Sequence, residues 1–195
     1  MGKQHGVIKF SFLTLILVFS FSCVNKKAPS ELASEEIKRD ILIPSFNADS
    51  AYAYVKKQVE FGPRVPNSKA HENCYKYLVK TLKRFGGSVI VQQEAIKRYD
   101  GVNMNMKNII ASFNNQSYKR VLLCAHWDSR FIADNDVSNV DKPILGANDG
   151  GSGVGVLLEL ARQISINPIN IGIDIILFDI EDQGQPNSET NQKEH

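Results

Sequence analysis

Apolar positions along the chain fall into three patterns, and each marks a different kind of segment. The first is a run from Phe10 to Phe21 with few polar interruptions. The second is a helical recurrence: Tyr75, Leu78, Val79, Leu82 and Phe85 share one face, and Val154, Leu157, Leu158 and Ala161 share another. The third is the short apolar or alternating stretch typical of strands, at 89–96, 108–113, 120–125 and 173–178. Capping residues delimit the helices. Asn47 or Asp49 can open one over 50–60 that Gly62-Pro63 ends, and Asn67 or Ser68 can open a second that Gly86-Gly87 stops. A third runs over about 151–164, after a long loop from Trp127 to Ala147. The polar turn Asn114-Asn115-Gln116-Ser117 predicts an antiparallel hairpin between the second and third strands. Apolar residues on both faces of 173–178 predict a strand in the middle of a sheet, which becomes an edge open to other chains if nothing follows it.

The unit that matters for function is the strand–helix–strand from Val121 to Phe178. A helical crossover makes its two strands parallel, so both end at the same sheet edge, where open α/β sheets bind ligands. His126-Trp127-Asp128 leaves one strand there and Asp179-Ile180-Glu181-Asp182 leaves the other. Asp149 stands just before the connecting helix, whose N-terminus opens on that edge too. Taken singly, each group has a plain structural role. Asp149 can be an N-cap favoured by the helix dipole, His126 a satisfied strand-end side chain, and Glu181-Asp182 the start of a polar loop. Their meeting at one edge is what points to chemistry.

Several carboxylates in one cleft repel one another unless a cation lies among them. Zinc accepts both imidazole and carboxylate oxygen, and a catalytic site keeps one position open for substrate. A neighbouring uncoordinated carboxylate then moves protons, a division of labour that suits adjacent Glu181 and Asp182. Competing motifs fail. The stretch Gly146-Ala-Asn-Asp-Gly-Gly-Ser152 lacks the lysine of a phosphate-binding loop, and Gly151, Gly153 and Gly155 follow a long loop rather than a strand, unlike a dinucleotide fingerprint. No Gly-x-Ser-x-Gly elbow is present. These glycines are expected to let the backbone approach the cleft.

Composition removes whole classes of function. The 195 residues are 43% hydrophobic and 23% charged, which excludes disordered, collagen-like and disulfide-scaffold chains. Acidic and basic residues balance once Lys3 and Lys9 are set aside with a leader, and no basic stripe interleaved with aromatics exists, so nucleic acid is excluded as a partner. The run of twelve residues from Phe10 to Phe21 is too short to span a ~30 Å hydrocarbon core as a helix. It reads as a secretory signal over residues 1–22. Ser20-Phe21-Ser22-Cys23 resembles a bacterial lipobox, with Ser20 where Leu is usual, and makes Cys23 the candidate lipidated residue. Residues 23–45 then read as a lipidated cysteine and flexible tether, and 46–195 as the catalytic domain, placing the protein on a lipid anchor in the membrane of the bacterial cell envelope. Cys74 and Cys124 are expected to be small buried side chains.

Four motifs occur in order: Phe61-Gly-Pro-Arg-Val-Pro-Asn-Ser68, Ala125-His-Trp-Asp-Ser-Arg130, Gly146-Ala-Asn-Asp-Gly-Gly-Ser-Gly-Val-Gly155 and Phe178-Asp-Ile-Glu-Asp182. Together they resemble the glutaminyl cyclases (glutaminyl-peptide cyclotransferases) of the M28 zinc-peptidase superfamily, in their bacterial lipoprotein branch. The resemblance implies an α/β fold, a three-layer mixed sheet flanked by helices. It implies a Zn cofactor held by Asp149 and Asp182, Glu181 as the catalytic acid/base, and a peptide or protein with N-terminal Gln as substrate. His126 matches a residue that ligates a second metal only in the aminopeptidase cousins. The family pattern continues past Asp182 with a further catalytic Asp, an indole wall and a histidine zinc ligand. None of these is matched here, and His195 lies in a polar tail without periodicity, so the sequence reads as the N-terminal part of the domain, incomplete at the C-terminus and inactive as a fragment. The alternatives are a two-zinc aminopeptidase and a catalytically dead envelope binding protein. For the anchor the expectation is direct. Cys23→Ser is expected to shift the protein from the membrane to the soluble periplasmic fraction, with mass spectrometry of the parent showing an acylated residue 23.

Overall fold

A computed structural model describes residues 43–186. The leader, Cys23 and most of the tether lie outside the described residues, as does His195. Helix α1 (Ala48–Glu60) starts where the Asn47 side chain accepts from the Ser50 amide at 2.8 Å, and Asn47's own amide donates to the buried Glu159 carboxylate. Helix α2 (Lys69–Arg84) is capped by Ser68, whose hydroxyl accepts from the His71 amide, and ends at Gly86 with φ of +85°. Strands β1 (Ser88–Lys97) and β2 (Asn103–Phe113) form an antiparallel hairpin closed by the Arg98–Val102 turn. Then come β3 (Arg120–His126), α3 (Gly151–Ile166) and β4 (Gly172–Phe178).

The four strands make a mixed sheet in the order β1-β2-β4-β3, with β3 and β4 parallel, as the crossover requires, and β2 antiparallel to β4. One face packs on α2 and α3. Ile109, Ala111, Phe113, Ile173, Ile175 and Leu177 meet Leu78 and Leu82 of α2 and Val154, Leu158 and Ala161 of α3 in a single core, and α1 packs on α3. The other face carries Ile90, Leu122 and Phe178, which are exposed among the described residues. No helix among these residues is long and apolar enough to cross a membrane.

Three expectations are corrected. The turn over 114–117 does not close a hairpin between β2 and β3, because β4 lies between them. Its groups are taken by the segment that leads into β4: Asn114 Nδ2 donates to the Ile169 and Ile171 carbonyls, and Arg120 forms a two-pronged ion pair with Asp174 of β4 at 2.7 Å for each contact. β4 is therefore an inner strand with partners on both sides, and the edge beside it is β3. Cys124 is exposed, since it lies on the sheet face that no helix covers among the described residues, whereas Cys74 is buried and its thiol pKa is pushed up to about 12 by burial.

The crossing of α1 over α3 depends on Gly155. A Cβ there would lie 2.8 Å from the Ala51 carbonyl oxygen and 2.6 Å from Val55 Cγ2. Gly155→Ala gains about 1 kcal/mol of helix propensity but overpacks a backbone contact, which costs about 1–3 kcal/mol. Net destabilisation is the expected outcome, read as a lower urea midpoint with an unchanged slope.

Candidate active site

The last residue pair of the parallel ladder is His126 opposite Phe178. Beyond it, three segments converge. Helix α3 is preceded at its N-cap position by Gly150, whose φ of +42° suits a residue without a side chain, and a Cβ there would stand 2.5 Å from the His126 carbonyl oxygen. This close approach brings Asp149 Oδ1 to 2.9 Å from His126 Nε2. Asp149 does not cap the helix; no side chain does, and Asp149 is largely exposed to the cleft.

The end of β4 is held by Asp128, a fully buried carboxylate. It accepts the amides of Glu181 at 3.3 Å and Asp182 at 3.2 Å, and Gln183 Nε2 at 2.9 Å. Its Oδ1 also lies 3.4 Å from His126 Nδ1. Sequence reasoning placed Asp128 at this strand end but missed the clamp, whose local signal is the spacing of His126 and Asp128 as alternate residues. Between Asp179 and Glu181 the chain turns sharply at Ile180, with φ of +67°, which is rare for a β-branched residue. After that turn Glu181 Oε2 lies 3.7 Å from His126 Nδ1 and remains exposed. Asp182 is mostly buried, with Oδ1 3.3 Å from Arg130 Nη1, while its Oδ2 is buried without a hydrogen-bond partner among the described residues. Asp179 goes elsewhere: both its oxygens lie 2.9 Å from Nε2 of the buried His71, which stacks on Trp127. Sequence reasoning missed that pair because it links residues far apart in the chain.

Charge is concentrated here. Burial, and then the negative charge of Asp149, push the Asp182 pKa up. His126 is raised to about 9, first by its hydrogen bond with Asp128, which outweighs the cost of burial, then by Glu181 and Asp149. Asp182 thus keeps its charge at a cost, from burial first and then from the Asp149 carboxylate, and among the described residues it has one orphaned oxygen. The two carboxylates are a donor set fit for part of a divalent cation's shell. No group of three His, Cys, Asp or Glu side chains suited to a metal ion is present among the described residues.

Residues 108–193 match peptidase family M28. Solved structures are similar over most of the chain. The glutaminyl cyclase of Tannerella forsythia is 54% identical, with 74% of this chain and 50% of that one covered and a TM-score of 0.73. The glutaminyl cyclase of Bacteroides thetaiotaomicron, solved with N-acetylhistamine, is 52% identical with the same coverage and TM-score. A protein of Parabacteroides distasonis described as a Zn-dependent exopeptidase is 56% identical, again with 74% and 50% covered and a TM-score of 0.73. The chain spans about half the length of these proteins.

The imidazole gives a pH test. In the metal-free chain the folded pKa of His126, about 9, lies above its ordinary value of 6.5. The stability it contributes is therefore complete below about pH 6.5 and is lost as the pH rises through about 9. Asp128→Asn removes the largest cause. An NMR titration of that variant is expected to show the His126 midpoint moving down toward 6.5, with the decline in urea midpoint moving to lower pH alongside it.

Proposed function

We propose that this chain, which belongs to the M28 peptidase family, carries the carboxylate part of a zinc site in an enzyme that converts N-terminal glutamine to pyroglutamate. The observation that carries the reading is the meeting of Asp149 and Glu181 at His126, with Asp182 close enough to Asp149 to feel its charge, at the end of two parallel strands. Asp149 and Asp182 would hold the zinc, consistent with the charge of Asp149 felt at Asp182 and with the Asp182 Oδ2, unpartnered among the described residues. When bound, zinc supplies Lewis acidity toward the γ-amide carbonyl of the substrate. Glu181, exposed in the cleft, takes a proton from the α-amine, which bonds to the carbonyl carbon of that side-chain amide (Cδ of the glutamine); it then gives the proton to the amide nitrogen as the bond from that carbon to nitrogen breaks, and ammonia leaves. His126, bonded to both Asp149 and Asp128, holds the first carboxylate in place.

A second reading rests on the 2.9 Å contact between His126 and Asp149. The same two side chains suit a second cation, as in a two-zinc aminopeptidase, and a similar protein is described as a Zn-dependent exopeptidase. We also propose lipid anchoring through Cys23 in the cell envelope, supported by the apolar run before it and the polar tether after it.

The test is a chimera in which residues 43–186 replace the matched half of the Tannerella forsythia enzyme. Incubated with a Gln-peptide, it is expected to release ammonia and leave the peptide's length unchanged. Release of a free N-terminal residue supports the aminopeptidase, and bound zinc with neither product supports a binding protein. Within the chimera Asp149→Ala and Asp182→Ala are expected to lose zinc and turnover together. Glu181→Gln is expected to keep zinc and lose about 10²–10⁴-fold in rate; loss of zinc in that variant reverses the roles of Glu181 and Asp182. His126→Ala retains one zinc per chain in a cyclase and falls from two to one in an aminopeptidase.

A further inference from the structure

The Phe61-Gly-Pro-Arg-Val-Pro stretch has no part in the chemistry above, yet its arginine is fully buried. All three hydrogen-bonding arms of Arg64 end on main-chain carbonyls. Nε donates to Trp127 O at 2.8 Å, Nη1 to Leu145 O at 2.7 Å and Nη2 to Gly146 O at 2.7 Å. Its own amide donates to Ser129 Oγ at 2.8 Å, and that hydroxyl donates to Ile144 O at 3.0 Å. One guanidinium therefore ties the start of the long loop after β3 to its end. Trp127 lies between His126 and Asp128, and Gly146 lies three residues before Asp149.

A buried cation without a directly bonded carboxylate is costly, and burial does lower the Arg64 pKa. An apolar side chain of similar volume makes a cheaper core. What such a side chain lacks is a rigid planar fork able to hold three carbonyls at fixed directions. The loop is built tightly around that fork. Gly146 has φ of +58°, and a Cβ there would stand 2.9 Å from Arg64 Nη2 and 2.5 Å from the Asp149 carbonyl oxygen. The Gly146 carbonyl also accepts the Gly151 amide at 3.1 Å, in the first turn of α3.

We propose that Arg64 is a positioning residue for the carboxylate edge: by holding the carbonyls of Trp127, Leu145 and Gly146 it sets where Asp149 stands against His126 and Asp182. The proposal rests on the reading of Asp149 as a zinc ligand. Lysine keeps the charge but cannot reach three carbonyls at once, so Arg64→Lys is the informative change.

Two measurements on the full chain test it. The first is amide hydrogen exchange at Gly151, with Leu158 in the α3 core as the reference. The second is the dissociation constant for zinc ion alone, followed by the fluorescence of Trp127, the sole tryptophan. Arg64→Lys is expected to speed exchange at Gly151 selectively and to weaken zinc binding about 10–100-fold, the usual cost of losing a group that orients a ligand. Gly146→Ala, which displaces the loop with the guanidinium intact, is expected to do the same and replaces the arginine variant if that one is too unstable to study. A general loss of protection in either variant, with zinc affinity of the folded protein unchanged, overturns the proposal, because the arginine is then only a core residue. Asp149→Ala separates the two ideas. If it leaves zinc binding intact the ligand reading fails, whereas if it weakens binding and Arg64→Lys does not, the positioning role fails.

Discussion

The buried carboxylate of Asp128 holds the ends of β3 and β4 together, and the geometry of the candidate site depends on it. Parallel pairing brings the two strands to a common edge but stops at His126 and Phe178. Beyond that pair, the amides of Glu181 and Asp182 and the amide side chain of Gln183 all donate to Asp128. A carboxylate accepting several donors in a dry place is electrostatically strong and geometrically exacting. It fixes the backbone from which Glu181 and Asp182 project, and its hydrogen bond with His126 extends the same order to the imidazole and from there to Asp149.

That order is bought with local strain. Ile180 sits at φ of +67°, a conformation that costs a β-branched residue about 1–3 kcal/mol. It persists because both neighbours are anchored. Asp179 accepts the Ile180 amide, pairs with His71 and donates its own amide to Asn108, while Glu181 is held by Asp128. Without the turn at Ile180, successive side chains would alternate across the strand direction. With it, Glu181 reaches the imidazole while Asp182 packs toward Arg130. Glu181 is thereby left exposed to solvent, and Asp182 is partly buried with one oxygen unpartnered among the described residues.

The site is also a balance of opposed charges. Burial, and after it the charge of Asp149, raises the pKa of Asp182, and the surrounding carboxylates, Asp128 first, raise that of His126. A cation among them would relieve the first effect by attraction and the second by drawing on Asp149. The imidazolium provides part of that relief within the protein itself, at 2.9 Å from Asp149 and 3.4 Å from Asp128.

Much of this was legible in the chain. Caps at Asn47 and Ser68, the α3 face of Val154, Leu157, Leu158 and Ala161, and the parallel unit that brings His126, Asp149 and Glu181 to one edge all follow from local chemistry and connection geometry. Such features depend on neighbours in sequence, so periodicity and turn residues reveal them. The turn at Asn114 was misleading for the complementary reason. A polar turn is a local signal, but what fills the gap between β2 and β3 was decided by contacts with Ile169, Ile171 and Asp174, more than fifty residues away. The His71–Asp179 pair, the carbonyl grip of Arg64 and the exposure of Cys124 are likewise products of tertiary packing. The sequence by itself determined which residue types stand at the ends of its elements. Only the tertiary structure decided which of them touch, because burial and long-range hydrogen bonds select partners that no periodicity encodes.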